Sequence, residues 1–317
     1  MSNALEQKFN MKFGEILPIL TKISDHLYRR YKVYAPHQEL TCHPFFIIGS
    51  GRNGSTLLSS MLNQHSKLMV PPEQWVLYEM IIKFKLYNII EWKDLVNICV
   101  GLYADDSSNE GWETHFGHLY SKLHSLNREE RTLTKIVDEI YVTHGKQKNI
   151  QFESWGEKSP INTVYLRYIY PVYPRSKYIF LIRDGRDVVS SITKVRGRDL
   201  EYAVWRWNYS IKQFDWLKSK VSRQQFCIVR FEDLVLEPEK TLRSLLNFLN
   251  YDFEESMLEY QKSVNYLGLD KYSYHKNVQR PLKAGQIGKW QERLTNDEIN
   301  ELMPKIEHNL KIFGYSD

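Results

Sequence analysis

Three segments of the chain share one pattern of hydrophobic and polar positions. Each begins with a short apolar run, passes through a polar turn, and continues with apolar residues at helical spacing; the runs are residues 45–48, 178–182 and 226–229. An apolar run without alternation is typical of a strand buried on both faces, as in a parallel sheet. The order of strand, turn and helix predicts right-handed βαβ units, and so an α/β fold in which helices flank a central parallel sheet.

Residues 75–150 separate the first two of these segments and carry further helical patterns. We therefore predict a helical insertion above the sheet, where ligand pockets of such folds are built. Residues 1–41 are predicted to form an N-terminal extension that is helical over residues 15–29, and residues 42–317 to form a single domain. The segment 261–285 is polar, cationic and rich in tyrosine, and we interpret it as a C-terminal lid that orders when a ligand binds.

Composition and charge narrow the function classes. Of 317 residues, 42% are hydrophobic and 26% charged, which excludes collagen-like and wholly disordered proteins. The formal net charge of +5 suits an anionic ligand better than a nucleic acid, which usually meets a clustered basic stripe. Residues 196–218 combine cations with three tryptophans on which bases could stack. Helical periodicity instead favours a helix that packs its aromatic face beneath the ligand site.

No pattern in the sequence indicates a membrane span, a metal site or a disulfide framework. No apolar run approaches the roughly 18 residues of a transmembrane helix, and the N-terminal residues lack a secretory pattern, so we expect a cytoplasmic protein. The ten histidines show no HExxH or similar spacing. The three cysteines lie far apart, without a CxxC pair; they are Cys42, Cys99 and Cys227.

The turn after the first apolar run is rich in glycine and hydroxyl residues. Residues 49–56 read GSGRNGST, so backbone N–H groups and a helix N-terminus can face a phosphate. The spacing from Gly49 to Gly54 matches the Walker motif of P-loop NTPases, but Ser55 stands where that motif has lysine. The loop is therefore poorly equipped for ATP hydrolysis. Its cation is Arg52, whose guanidinium can bind a phosphate and a group being transferred.

A second, separate anion site is predicted at Arg183 and Ser191. Arg183 follows the second apolar run, at the strand end where open α/β sheets bind ligands, and Ser191 lies eight residues further on. Two anion sites indicate a nucleotide phosphorylated at two places. One alternative is a nucleotide or small-molecule kinase with an atypical phosphate loop, for which Asp184 would supply a metal-binding carboxylate. Another is a catalytically silent nucleotide-binding protein.

Four segments together resemble the sulfotransferase family that uses 3′-phosphoadenosine-5′-phosphosulfate (PAPS). They are GSGRNGSTLL, YIFLIRDGRDVVSS, VRFEDLVLEP and KAGQIGKW, and they run in family order from residue 45 to about residue 294. The loop and the glutamate of PPEQ are more similar to the tyrosylprotein, other Golgi and bacterial branches than to the cytosolic phenol and steroid enzymes. The resemblance implies a P-loop-NTPase-like fold, PAPS as donor co-substrate, and no required metal.

The resemblance also implies which residues bind the donor. Arg183 and Ser191 would bind its 3′-phosphate. Phe231 stands where many members have a tyrosine, and would keep an aromatic contact near the nucleotide. The 5′-phosphosulfate would be bound by residues of the glycine-rich loop, namely Gly51, Arg52, Asn53, Gly54, Ser55 and Thr56.

The late segment KAGQIGKW resembles the element that closes over the 3′-phosphate. Lys283 and Gly285 align with its basic residue and its glycine, whereas Ala284 replaces the middle basic residue, which should weaken the grip. Gly288 and Trp290 match the Gly-x-Trp of the family.

The resemblance suggests two catalytic residues besides Arg52. The cytosolic branch uses a histidine as base, but the comparable residues 155–160 read WGEKSP and contain none. The tyrosylprotein branch instead places a carboxylate where this chain has Glu73, which could otherwise be a charge that favours a helix N-terminus. Lys158 is the predicted second catalytic cation, and a salt bridge to Glu157 is the alternative. Glu157 is a rival base, but it faces the other way if residues 153–158 form a strand.

The sequence thus predicts a PAPS-dependent sulfotransferase that moves a sulfuryl group to a hydroxyl, with an amine as second choice, and releases adenosine 3′,5′-bisphosphate. The acceptor stays open among a carbohydrate, a peptide tyrosine, a lipid and a small molecule, including a carrier-bound polyketide. No nucleic acid partner and no membrane span are expected.

Overall fold

The computed structural model describes residues 30–35, 40–105, 112–263, 266–267 and 284–315. The helix predicted over residues 15–29 and most of the predicted lid, Lys283 included, lie outside the described residues.

The described elements are labelled here in chain order. From residue 45 to residue 105 they are β1 (Phe45–Ile48), α1 (Ser55–Leu62), β2 (Leu68–Met69), α2 (Leu77–Leu86) and α3 (Trp92–Asp105). Up to residue 182 follow α4 (Gly117–His124), α5 (Leu133–Gln147), β3 (Ser154–Glu157), α6 (Pro160–Val164), α7 (Leu166–Ile169) and β4 (Lys177–Ile182). The rest are α8 (Gly185–Arg196), α9 (Leu200–Lys218), β5 (Phe226–Arg230), α10 (Phe231–Leu236), α11 (Pro238–Leu249), α12 (Trp290–Arg293) and α13 (Asn296–Ile312). Short 3₁₀ helices lie at Arg128–Glu130, Arg223–Gln225, Glu255–Ser263 and Ala284–Gln286.

Contacts within the chain divide it into two compact units. The loop unit, which carries the glycine-rich turn, comprises Phe45–His65 and Lys177–Asp317. The insertion unit, which carries the predicted helical insertion, comprises Met1–Pro44 and Ser66–Ser176. The predicted extension over residues 1–41 and single domain over residues 42–317 stay predictions.

A parallel ladder of three strands forms the centre of the loop unit, with β4 in the middle. Phe45 of β1 lies beside Lys177, and Tyr178 of β4 lies beside Phe226 of β5. β1 and β4 are buried except at Lys177, as expected of apolar runs in a parallel sheet. The strands and helices predicted from the repeated pattern are thereby confirmed, and with them the α/β fold.

Aromatic residues of α9 pack against the strands and against α8. Phe214 stacks on Phe180 of β4, with ring centroids 4.2 Å apart. Trp207 is buried, and its indole N–H donates to the carbonyl of Arg183 at 3.1 Å. A Cβ on Gly185 would come within 2.8 Å of the same indole, so α8 begins with a residue that has no side chain. The predicted helix within residues 196–218, with a packed aromatic face, is confirmed over Leu200–Lys218.

The insertion unit combines a short parallel ladder with helices around an aromatic core. Leu68 of β2 lies beside Ser154 of β3, and Met69 lies beside Trp155. The helical patterns predicted within residues 75–150 are confirmed as α2, α3 and α5. Thr132 is the N-cap of α5, and its hydroxyl accepts the N–H of Lys135 at 3.1 Å. The fully buried aromatic side chains of the insertion unit include Trp92, Tyr103, Trp112, Tyr141 and Trp155.

In the ranges that the structure describes, no helix combines the length and the apolar character that crossing a bilayer requires.

Candidate functional site

The glycine-rich loop of the loop unit turns back on itself before α1 begins. Gly51, Arg52 and Gly54 have φ angles of 77°, 56° and 93°, in the left-handed region that glycine adopts at little cost. Gly54 is the N-cap of α1 and provides no side-chain acceptor for the first N–H groups of the helix. These N–H groups and the helix dipole therefore favour an anion at this end of α1.

Asn53 shapes the loop from inside. Its side-chain amide donates to the carbonyl of Leu181 in β4 at 2.6 Å, and the residue is 1% exposed. A Cβ on Gly49 would lie 2.0 Å from that amide nitrogen, so glycine is required where the side chain passes. The side chain of Asn53 thus fixes the loop to the sheet, and only its backbone is left for the predicted donor contact.

Arg52, Arg183 and Ser191 lie together in the loop unit. The Nε of Arg52 donates to the hydroxyl of Ser191 at 3.1 Å, and Arg183 donates to the carbonyl of Arg52 at 3.3 Å. The residues predicted for two separate anion sites are therefore adjacent rather than separate, while anion binding itself stays a prediction. The physical reason is that β1 and β4 are neighbours in the ladder, so the turns at their carboxyl ends meet.

Asp187 is a residue of this cluster that the sequence analysis missed. It is fully buried, and its carboxylate pairs with Arg183 at 2.9 Å. The same carboxylate accepts the backbone N–H groups of Gly288 at 3.0 Å and Trp290 at 2.9 Å. Arg183 also donates to the carbonyl of Gln286 at 2.6 Å. Asp187 thereby joins the predicted anion site to the late Gly-x-Trp segment; its place one turn after Arg183 was the available signal.

Phe231 connects the loop to Arg183. The guanidinium of Arg183 lies over its ring, 4.4 Å from the centroid, and the ring is buried. A Cβ on Gly54 would come within 2.2 Å of the same ring. The phenyl ring thus contacts both the loop and Arg183, and its contact with the nucleotide stays a prediction.

Asp184 is committed to structural contacts. It caps α8 by accepting the N–H of Arg186 at 2.8 Å, and it pairs with the Arg186 guanidinium, also at 2.8 Å. Its own N–H donates to Glu232 at 3.0 Å. These contacts disfavour the metal-binding role that the kinase alternative requires. Across the described ranges, no three His, Cys, Asp or Glu side chains are grouped to hold a metal ion.

Three further predicted residues differ in how far they are buried. Ser55 is buried in the first turn of α1, and Thr56 follows it there half-buried; their phosphate contacts stay predictions. Gly285 is exposed, and a Cβ on it would meet no atom within 4 Å. Arg206 was missed by the sequence analysis; it is buried and donates to the carbonyl of Ser50 at 3.1 Å, which supports the loop from α9.

The insertion unit brings together the two other predicted catalytic residues. The ammonium nitrogen of Lys158 lies 2.6 Å from a carboxylate oxygen of Glu73, across 85 residues of chain. The Lys158 side chain is 6% exposed and that of Glu73 is 31% exposed, so the pair is reachable from solvent on the carboxylate side. Glu73 precedes α2 by four residues and is paired with Lys158, so a helix-capping charge does not describe it. Lys158 pairs with Glu73 rather than with its neighbour Glu157.

Two side chains hold the backbone around Glu73. The hydroxyl of Ser159 accepts the N–H of Gln74 at 3.1 Å and donates to the carbonyl of the same residue at 2.6 Å. The indole N–H of Trp112 donates to the carbonyl of Pro72 at 2.8 Å. Glu73 is therefore presented on a segment fixed from both sides.

Glu157 lies on the other side of the strand end from Lys158. Its carboxylate accepts the hydroxyl of Tyr141 and, at 2.7 Å, the side-chain amide of Asn162. Burial raises the pKa of Glu157 to about 7, and its hydrogen bonds and the charge of Lys158 oppose that shift. The buried carboxylate joins β3 to α5 and α6, as expected of a residue facing away from Lys158.

A model of the sulfotransferase family matches residues 44–255 of this sequence, and the chain belongs to that family. It is similar to the protein-tyrosine sulfotransferase of Drosophila melanogaster, with 24% identity over 304 residues that cover 90% of this chain and 53% of the relative. Protein-tyrosine sulfotransferase 1 of Danio rerio is 25% identical over 285 residues, which cover 85% of this chain and 71% of the relative. The chain thus spans about half the length of the Drosophila relative.

Among solved structures, the sulfotransferase domain from the Synechococcus PCC 7002 olefin synthase matches with a TM-score of 0.61 and 23% identity, over 90% of this chain and 100% of that domain. At this identity the likeness concerns the fold. Family membership confirms the resemblance drawn from the sequence and the predicted class of enzyme, a sulfotransferase.

The expectation of a cytoplasmic location is wrong. It rested on the lack of a secretory pattern, whereas the relatives are protein-tyrosine sulfotransferases, which are Golgi-resident enzymes. The physical reason is that the apolar pattern of the first residues reports local structure and does not report the compartment in which a chain works.

Proposed function

We propose that this chain transfers the sulfuryl group of PAPS to the phenolic oxygen of a tyrosine in a protein acceptor and releases adenosine 3′,5′-bisphosphate. Family membership supports the donor. The relatives from Drosophila and Danio, both protein-tyrosine sulfotransferases that align with 85% or more of this chain, support the acceptor.

The loop unit supplies the donor contacts. The N–H groups of the glycine-rich loop bind the 5′-phosphosulfate, with Ser55 and Thr56 at the first turn of α1. Arg183 and Ser191 bind the 3′-phosphate. The Nε of Arg183 is buried and makes no hydrogen bond within the described residues, so this N–H is available to an anionic oxygen.

The insertion unit supplies the base. The acceptor oxygen attacks sulfur and forms a new O–S bond, while its proton passes to the carboxylate of Glu73. The S–O bond to the 5′-phosphate breaks, and its electron pair stays on the leaving phosphate. Arg52 and Lys158 act as the catalytic cations that neutralise charge in this loose transition state.

The observation that carries this assignment is the Glu73–Lys158 pair at 2.6 Å. It joins a half-exposed carboxylate to a buried ammonium in a unit where both sit on fixed backbone. The carboxylate can accept a proton from an acceptor hydroxyl, and the neighbouring ammonium can neutralise negative charge.

Transfer of label from ³⁵S-PAPS tests the proposal. The purified chain is incubated with peptides that contain one tyrosine, with matched peptides in which phenylalanine replaces that tyrosine, and with an oligosaccharide and a phenolic lipid. We expect label only on the tyrosine peptides, without added metal. Label on the oligosaccharide or the lipid alone would refute the protein acceptor. Phosphate transfer from ATP with magnesium would support the kinase, and bisphosphate binding without turnover would support a silent nucleotide-binding protein.

A further inference from the structure

Trp75 differs in exposure from every other tryptophan of the chain. All eight tryptophans lie within the described residues, and seven of them are buried or half-buried. Trp75 is 52% exposed, although it stands only two residues after Glu73. An exposed indole beside a reactive group is informative, because large aromatic rings are usually covered.

The backbone at Gln74 shows which way Trp75 faces. The N–H and the carbonyl of Gln74 both meet the hydroxyl of Ser159, so both point to one side of the chain. This is the arrangement of an extended residue, whose two neighbours project their side chains to the face opposite its own. The exposures agree, because Gln74 is fully buried while Glu73 is half-exposed and Trp75 exposed. Glu73 and Trp75 therefore emerge on the same face.

The segment that carries Trp75 is held in place before any ligand binds. Pro71 and Pro72 restrict the backbone ahead of it, and Trp112 and Ser159 bind its carbonyl and amide groups. Immediately behind it, Tyr78 of α2 stacks on Tyr165 with ring centroids 3.9 Å apart. Because the backbone that carries Trp75 is already ordered, a ring that docks on the indole orders little additional backbone, which favours binding.

We propose that Trp75 is the acceptor-binding residue that selects an aromatic hydroxyl, by stacking its indole on the phenol ring whose oxygen faces Glu73. The inference rests on the proposed function and names a specificity residue for it. In an extended chain, side chains two residues apart are separated by about 6–7 Å, and offset aromatic rings pack with centroids about 4.5–7 Å apart. A phenol ring lying on the indole can thus present its hydroxyl to the carboxylate. A serine or threonine hydroxyl offers no ring to stack.

Steady-state kinetics of sulfation of a tyrosine peptide tests this proposal with three substitutions at position 75. Trp75→Ala is expected to raise KM at least 10-fold with a smaller change in kcat. Trp75→Phe should restore KM to within about 3-fold of the wild type, because it keeps a ring. Trp75→Leu should not restore it, although it is apolar. Tyr87→Ala is the control: Tyr87 is 45% exposed, in the same unit, and should leave KM unchanged.

Two binding measurements separate this inference from the proposed function. Binding of adenosine 3′,5′-bisphosphate should be equal in all variants, and the peptide should quench tryptophan fluorescence in the wild type but not in Trp75→Phe. An unchanged KM in Trp75→Ala, or equal rescue by leucine and phenylalanine, would overturn the role of Trp75 while tyrosine sulfation stands. Failure of the wild type to sulfate or bind any tyrosine peptide would overturn both.

Discussion

In the loop unit the candidate residues are grouped around a glycine-rich turn and the start of a neighbouring helix, whereas in the insertion unit two candidate side chains form a single ion pair. The loop uses left-handed backbone and a buried asparagine to expose N–H groups. The proposed base and its cation form one contact that spans 85 residues. Under the proposed function, donor binding then depends on several backbone and side-chain groups, and acceptor activation on one side-chain pair.

The largest change in turnover is expected from Glu73→Gln in the insertion unit. The amide keeps the size of the side chain but cannot accept the acceptor proton, so turnover should fall by about 100-fold or more. Donor affinity, measured by calorimetry with adenosine 3′,5′-bisphosphate, should stay within about twofold, because the proposed donor contacts lie in the other unit. A parallel loss of donor affinity would break the comparison, and unchanged turnover would remove Glu73 from the mechanism.

Arg183→Ala tests the proposed donor binding by the loop unit. We expect bisphosphate binding to weaken by about 10- to 100-fold, as for loss of a charged hydrogen bond of about 1.5–3 kcal/mol. Binding of AMP, which lacks the 3′-phosphate, should change far less. Arg223→Ala, an exposed arginine of the same unit, is the matched control for charge. Equal losses for the two ligands would show that Arg183 does not read the 3′-phosphate.

Gly54→Ala tests how strongly the structure of the glycine-rich loop depends on the backbone conformation at position 54. The new Cβ would lie 2.2 Å from Phe231, at a φ of 93°, so we expect about 1–3 kcal/mol of lost stability together with weaker bisphosphate binding. Gly101→Ala in α3 of the insertion unit is the contrast, because its Cβ meets nothing within 4 Å. It should stabilise the chain by about 0.5–1 kcal/mol. Urea unfolding measures both, and equal effects would contradict the argument.

Glu157→Gln should change how the free energy of unfolding depends on pH. Because burial raises the pKa of Glu157 to about 7, the folded chain binds more protons than the unfolded chain between about pH 4.5 and 7. The stabilising contribution of Glu157 is therefore complete below pH 4.5 and is lost as the pH rises to 7. The slope is at most about 1.4 kcal/mol per pH unit.

The pH dependence of the variant has to be compared with that of the wild type, because His144 also makes stability depend on pH. Burial lowers its pKa to about 3, so its contribution is present above pH 6.5 and is lost as the pH falls towards 3. Urea unfolding at several pH values should show a difference between the wild type and Glu157→Gln that varies between pH 4.5 and 7 and is flat above. A constant difference would show that Glu157 does not titrate in this range.

The sequence predicted the loop unit well and the insertion unit only in part. Apolar runs ending at glycine or at Arg183 are local signals, so β1, β4 and β5 were found together with the helices that follow them. β2 has only two residues and carries no pattern that a sequence can show. α6, α7 and α13 were also missed, since two are shorter than a periodic pattern and the third follows the segment interpreted as a lid.

Within the site, residue types were easier to predict than partners. Glu73 and Lys158 were both named, but their pairing was not, and Lys158 was given Glu157 as an alternative partner. Asp187 was overlooked because one buried carboxylate among RDGRD looks like any helix charge until Gly288 and Trp290 are seen to donate to it.

What the sequence determined by itself is the order of strand, turn and helix, the glycine-rich loop and the family, because these depend on neighbouring residues whose backbone preferences and apolar spacing act locally. Tertiary structure alone decided that Arg52 reaches Ser191 across 139 residues, that Glu73 reaches Lys158, and that Trp75 stays exposed beside Glu73. Such contacts depend on which strands and helices become neighbours, and packing of the whole chain sets this.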